Sequence, residues 1–121
     1  MGAEDLLRRA RALVVSGWTQ GADARRLDGT PTEPWSPEAS AWSLLGALVG
    51  ALEAAEEEAG AFPLTDLAAA LDALAGHVDD DSLARWNDAP GRTLAQVESA
   101  LAAAAGEAAG TLDYTPGLSD H

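Results

Sequence analysis

Ser36-Pro37-Glu38-Ala39-Ser40-Ala41-Trp42-Ser43-Leu44-Leu45-Gly46-Ala47-Leu48-Val49-Gly50-Ala51-Leu52-Glu53 is the stretch whose reading sets the fold class. It opens with the chemistry of a helix start. Ser36 carries the side-chain oxygen of an N-cap, Pro37 suits a first helical position where its missing N–H loses no partner, and Glu38 falls at the positive end of the dipole. Trp42, Leu45, Leu48, Val49 and Leu52 then form one broad apolar stripe, and Gly60 is placed to end the helix after Ala59. The spacing therefore predicts one central helix over residues 36–59, with Glu53, Glu56, Glu57 and Glu58 at its solvated end. Gly46 inside such a helix costs about 1 kcal/mol relative to Ala, which points to close approach of another helix or of a ligand.

On the amino-terminal side, residues 18–35 hold Gly21, Gly29, Pro31 and Pro34 without a usable period, and read as a long loop packed through Trp18 and Trp35. Before it, Leu6, Leu7, Ala10, Leu13 and Val14 share one face of a first helix from Glu4 to Val15, with the arginines outward and Gly17 expected as a left-handed stop. On the carboxyl-terminal side a third helix is expected from Asp66 to Ala75 with Thr65 as cap, and a short one from Ser82 to Trp86. A fifth opens with the capping-box pair Thr93 and Gln96 and carries Leu94, Val97, Leu101 and Ala104. The fold class expected is all-α: a compact bundle or orthogonal array of four to five helices with a long loop between helices 1 and 2. Residues 1–110 form its single helical domain, and residues 111–121 a flexible tail.

Composition agrees with helices and narrows the function classes. Among 121 residues there are 28 Ala and 17 Leu but no Lys and no Ile, and 20 Asp and Glu against 7 Arg give a net charge of -13. Residues 1–30 sum to +5 - 4 = +1 and residues 31–121 to +2 - 16 = -14, so the two parts should attract, within one chain or between two. Such acidity argues against a nucleic-acid partner, which requires a basic face. No apolar run approaches the roughly 20 residues of a membrane span, and the amino terminus lacks signal-peptide character, so a cytoplasmic protein without membrane partner is expected. The absence of Cys removes disulfides, thiol nucleophiles and thiolate metal sites. Ala-rich faces permit a homodimer.

Four Trp beside one Phe and one Tyr stand out in a chain of small residues. Trp18, Trp35, Trp42 and Trp86 either supply core bulk or wall an aromatic pocket. Ser16, Thr19, Gln20, Ser43, Asn87, Asp88 and Arg92 are the nearby polar candidates. Three segments, Gly17-Trp18-Thr19-Gln20-Gly21-Ala22, Trp42-Ser43-Leu44-Leu45-Gly46-Ala47-Leu48, and Trp86-Asn87-Asp88 with Arg92-Thr93, give the chain a resemblance to a family of small bacterial proteins of unknown function. The resemblance covers roughly residues 5–105 and brings no activity. It implies that Trp18, Trp42, Gly46, Trp86, Asn87, Asp88 and Arg92 converge on one site, and that the position of Ser43 tends to hold Cys in relatives.

The residues themselves allow a plainer role for Asn87, Asp88 and Arg92, as a turn that satisfies helix ends and forms an ion pair. Arg92 beside the start of helix 5 also suits an anionic group. A triad of Ser43, His77 and an aspartate lacks the Gly-x-Ser-x-Gly context, and His77 with Asp79 and Asp81 lacks the Gly and closing Glu of a calcium loop. No metal and no cofactor are expected. The sequence reading is a small helical protein that binds a small aromatic or anionic ligand, or a peptide, through Trp18, Gln20, Trp42, Ser43, Gly46, Trp86, Asn87, Asp88 and Arg92. Its alternatives are a metal-free enzyme of specialised metabolism using that pocket, and an acidic protein-interaction module.

Overall fold

Residues 36–59 are not one helix. In the computed structural model, which describes residues 2–60 and 64–113 (backbone alone for 59 and 110–113), Ser36 and Pro37 sit in a turn. The Ala39 N–H closes it on the Ser36 carbonyl at 3.0 Å, and the Ser36 hydroxyl accepts the Glu38 N–H at 3.1 Å. Residues Ala39–Trp42 follow as a strand, and the helix begins only at Leu44, capped by the Ser43 hydroxyl, which accepts the Gly46 N–H at 3.0 Å. The expected Ser36 cap is thus a turn, because a Ser-Pro pair at the start of a turn and at a helix start uses the same φ and the same hydroxyl contact.

The described elements run α1 (Ala3–Ser16), β1 (Ala24–Arg26), β2 (Pro31–Thr32), β3 (Ala39–Trp42), α2 (Leu44–Ala59), α3 (Leu64–Ala75), α4 (Leu83–Asn87) and α5 (Leu94–Asp113). The all-α expectation is therefore corrected to five helices with a small antiparallel sheet, ordered β2-β1-β3. In it Ala24 pairs with Thr32 on one side and with Trp42 on the other, and the register shifts between Arg25 and Arg26. The long loop is where two of the strands lie. The rest of the expected tail, residues 114–121, lies outside the described residues.

The other helix starts follow their local chemistry. Ser82 caps α4 by accepting the Arg85 N–H at 3.1 Å. Thr93 and Gln96 make the reciprocal capping box of α5, Thr93 Oγ1 accepting the Gln96 N–H at 3.2 Å and Gln96 Oε1 the Thr93 N–H at 3.0 Å. Thr65 does not cap α3, which already begins at Leu64.

The central helix is α1, not α2: it packs against α2, α3 and α5. Leu6, Leu7, Ala10 and Val14 are fully buried on its inner face, against Leu44, Leu48, Leu74 and Leu101. Eleven of the 21 residues in this core are Ala, so the helix axes approach closely and each lost methyl matters. Arginines of the first part of the chain reach acids of the second. Arg9 makes two hydrogen bonds to Glu58 of α2, at 2.9 and 2.6 Å, and Arg11 two to Glu98 of α5, at 3.2 and 2.8 Å.

Two glycines let the sheet dock on the helices. Gly17 is extended, not left-handed as expected, and a Cβ there would stand 2.1 Å from the Ser40 carbonyl oxygen. At Gly46 a Cβ would stand 1.8 Å from the Asp23 carbonyl oxygen, so the close approach is that of a peptide leading into β1. That carbonyl accepts the Ser43 N–H at 3.0 Å. An Ala at Gly46 gains about 1 kcal/mol of helix propensity but meets an overpacking cost of about 1–3 kcal/mol, which decides for Gly.

Candidate functional site

The short helix α4 ends with two residues that face different ways. Asn87 is completely buried and uses every hydrogen-bonding position of its amide. Its Oδ1 accepts the Trp18 indole N–H at 2.7 Å and the Leu44 N–H, the first of α2, at 3.0 Å. Its Nδ2 donates to the Thr19 carbonyl and to Asp88 Oδ1, both at 3.0 Å. Gln20 closes the same knot, donating from Nε2 to the Asn87 carbonyl at 2.9 Å and to the Ala89 carbonyl at 3.1 Å, while Asp88 Oδ1 also accepts the Gly21 N–H at 3.0 Å. Trp18, Gln20, Asn87 and Asp88 thus meet, with the Leu44 N–H, as a hydrogen-bonded junction of α1's exit, the start of α2 and the end of α4. A junction this fully paired holds segments together.

The second place lies beside it, on Trp86. This indole is 6% exposed, and the Arg92 guanidinium stacks on it with Cζ 3.8 Å from the ring centroid. Arg92 Nε donates to the Trp86 carbonyl at 2.8 Å, and Nη1 reaches Gln96 Oε1 only at 3.4 Å. No carboxylate among the described residues pairs with Arg92, although 20 acids surround 7 arginines in the chain. Arg25 also lacks a carboxylate partner, but each of its three nitrogens donates to a hydroxyl or carbonyl within its loop. The Trp86 indole N–H, unlike those of Trp18 and Trp42, donates to no described residue. Trp86 and Arg92 line an open cavity of about 430 Å³ with His77, Gln96, Ser99 and Ala103. Arg92 Nη2 and the Trp86 N–H remain without a described acceptor, so the cavity suits an acceptor-rich or anionic group beside an aromatic wall.

The sequence candidates therefore divide. Trp42 and Gly46 stand at the sheet-to-α2 junction: the Trp42 indole donates to the Pro34 carbonyl at 3.0 Å, and Gly46 takes the Asp23 peptide. Ser43 is buried, with its hydroxyl used as the α2 cap. Of the nine candidates only Trp86 and Arg92 line the open cavity. Arg92 forms a stack where an ion pair was expected. Gln96, Ser99 and Ala103 were missed as cavity residues, and the signal for them is their spacing, a polar and small-residue stripe along one face of α5. His77, weighed for a triad and a calcium loop, borders the same cavity with Nε2 3.3 Å from Glu107 Oε1.

Of the three aspartates before α4, Asp80 is held by hydrogen bonds. Asp80 accepts from Arg85 Nη2 at 2.6 Å and from the Ser82 N–H at 2.9 Å, and these contacts lower its carboxyl to about 2. Among the described residues no group of three or more His, Asp and Glu is arranged to hold a metal ion. No helix among them is long and apolar enough to cross a membrane.

The profile of a family of unknown function (DUF6197) matches residues 2–107, and the chain belongs to that family. No curated protein and no solved structure matches it.

Proposed function

We propose, since DUF6197 carries no activity to its members, that the function follows from the Trp86–Arg92 cavity: the domain binds a small ligand that joins an anionic or acceptor-rich group to an apolar or aromatic part. The observation that carries this reading is Arg92, a cation without a carboxylate partner among the described residues of a strongly acidic chain, stacked on a buried Trp whose N–H is also unspent. Arg92 would hold the anion, the Trp86 N–H would donate to it as a second donor, and Ala103 and the indole edge would cover the apolar part. The Asn87 junction supports the cavity by fixing α4, and Trp18, Gln20 and Asp88 act through that fixing, while Trp42, Ser43 and Gly46 hold the sheet-to-α2 junction; none of the six lines the cavity.

The test is a melting panel with benzoate, phenylphosphate, inorganic phosphate and an acetylated dipeptide. A binding anion raises the melting temperature of the wild-type protein, and Arg92→Gln loses the rise. A rise that survives Arg92→Gln, or no rise with any member, would overturn the reading.

A further inference from the structure

The surface around Trp35 is separate from the Trp86–Arg92 cavity. Trp35 is 56% exposed, in a chain whose other three indoles are largely covered. It stands between two cavities that share it and Pro34. The first, of about 420 Å³, is closed by Val49 and edged by Asp23 and Glu33. The second, of about 220 Å³, is closed by Leu13 and edged by Glu53 and Glu57. None of these four carboxylates forms an ion pair with a described residue, and neither cavity has an Arg or His in its lining.

An exposed Trp face flanked on both sides by unpaired carboxylates is complementary to a cation on an aliphatic stem. The indole is the best of the side-chain π faces for a cation, and the methylenes of Lys or Arg cover apolar surface while the head group stays among the acids. We propose that the face around Trp35 docks a lysine- or arginine-bearing segment of a partner protein, its basic side chains entering the two cavities on either side of the indole. A second copy of the chain fits poorly. It has no Lys and a net charge of -13, and five of its seven Arg are already in ion pairs with described residues. Nucleic acid and anionic lipid carry the wrong sign. The proposal is independent of the Trp86–Arg92 cavity, which shares no lining residue with either of these two.

The experiment measures binding of a short fluorescent peptide of alternating alanine and arginine to the full chain by anisotropy, with an alanine–glutamate peptide beside it. The arginine peptide binds and the glutamate peptide does not. Trp35→Ala leaves the net charge unchanged and weakens binding about tenfold or more, as does Trp35→Leu, which keeps apolar bulk without the π face. Glu53→Gln/Glu57→Gln weakens it more than Asp72→Asn/Asp81→Asn, which removes the same charge outside both cavities. Melting of each variant confirms that it is folded. No binding to the wild-type chain, or Trp35 variants that bind within about twofold of it, overturns the proposal, because attraction to net charge alone would then suffice. Sedimentation showing a dimer that depends on Trp35 overturns it as well, by placing a second copy on this face.

Discussion

Replacing Asn87 by Ala orphans the Trp18 and Leu44 N–H groups and the Thr19 carbonyl at once, around a side chain that is completely buried. Each buried group left unpaired costs about 1–3 kcal/mol, so the expected loss of stability is about 3 kcal/mol or more, read by urea unfolding. Asn87→Asp keeps two acceptors but turns a donor toward the Thr19 carbonyl and the Asp88 carboxylate into a negative oxygen, and is expected to be no better. An unfolding midpoint unchanged in Asn87→Ala would mean that the junction does not hold the fold. That Asn87 satisfies a helix end was readable from its position after a short helix, whereas the Asp88 carboxylate serves the Gly21 N–H of the loop. Which helix Asn87 satisfies was not readable, because the recipient is Leu44, 43 residues away in the chain.

Helix boundaries carry the next prediction. Ser43→Ala removes the α2 cap and is expected to cost about 1 kcal/mol, whereas Ser36→Ala, in a turn exposed to water, costs a few tenths. Equal effects would return the helix start to Ser36. The elements that sequence made legible were those whose signals are local: the inner face of α1, the Ser82 cap, the Thr93–Gln96 capping box, and Gly60 with φ 74 closing α2. The sheet left no such signal. Its strands are two to four residues long, built of Ala, Arg, Pro, Thr and Ser with a Trp at one end, and carry little strand propensity of their own. What makes Ala39–Trp42 extended is pairing on both sides. β1 lies on one edge and the residues leaving α1 on the other, where the Thr19 N–H meets the Trp42 carbonyl at 3.1 Å. Gly46 was legible as a point of close approach, and only the packed structure shows that a peptide of the loop takes it.

At the scale of the whole molecule, ion pairs tie the slightly basic first quarter to the acidic remainder, and two of the carboxyls held by arginines, Glu58 and Asp80, are shifted down. Hydrogen bonds from Arg9 lower Glu58, and those from Arg85 lower Asp80 to about 2. A carboxyl lowered on folding contributes stability that is complete above its unfolded value of 3.8 and is lost as pH falls toward about 2. Asp80→Asn is therefore expected to melt a little below the wild type at neutral pH and together with it near pH 2, the gap being small because the pair is exposed. A gap that persists in acid would assign Asp80 a role other than its charge. The same scale separates what holds the molecule from what it offers: the Asn87 junction is closed, while the Trp86–Arg92 cavity keeps unspent donors. The direct test is the set of four indole N–H resonances of isotopically labelled protein titrated with the anion that raises its melting temperature. The Trp86 resonance is expected to move while those of Trp18 and Trp42, bonded to Asn87 Oδ1 and the Pro34 carbonyl, stay in place. A bound anion that leaves Trp86 unmoved, or that moves Trp18 and Trp42 with it, would rule out the Trp86–Arg92 cavity as the binding site.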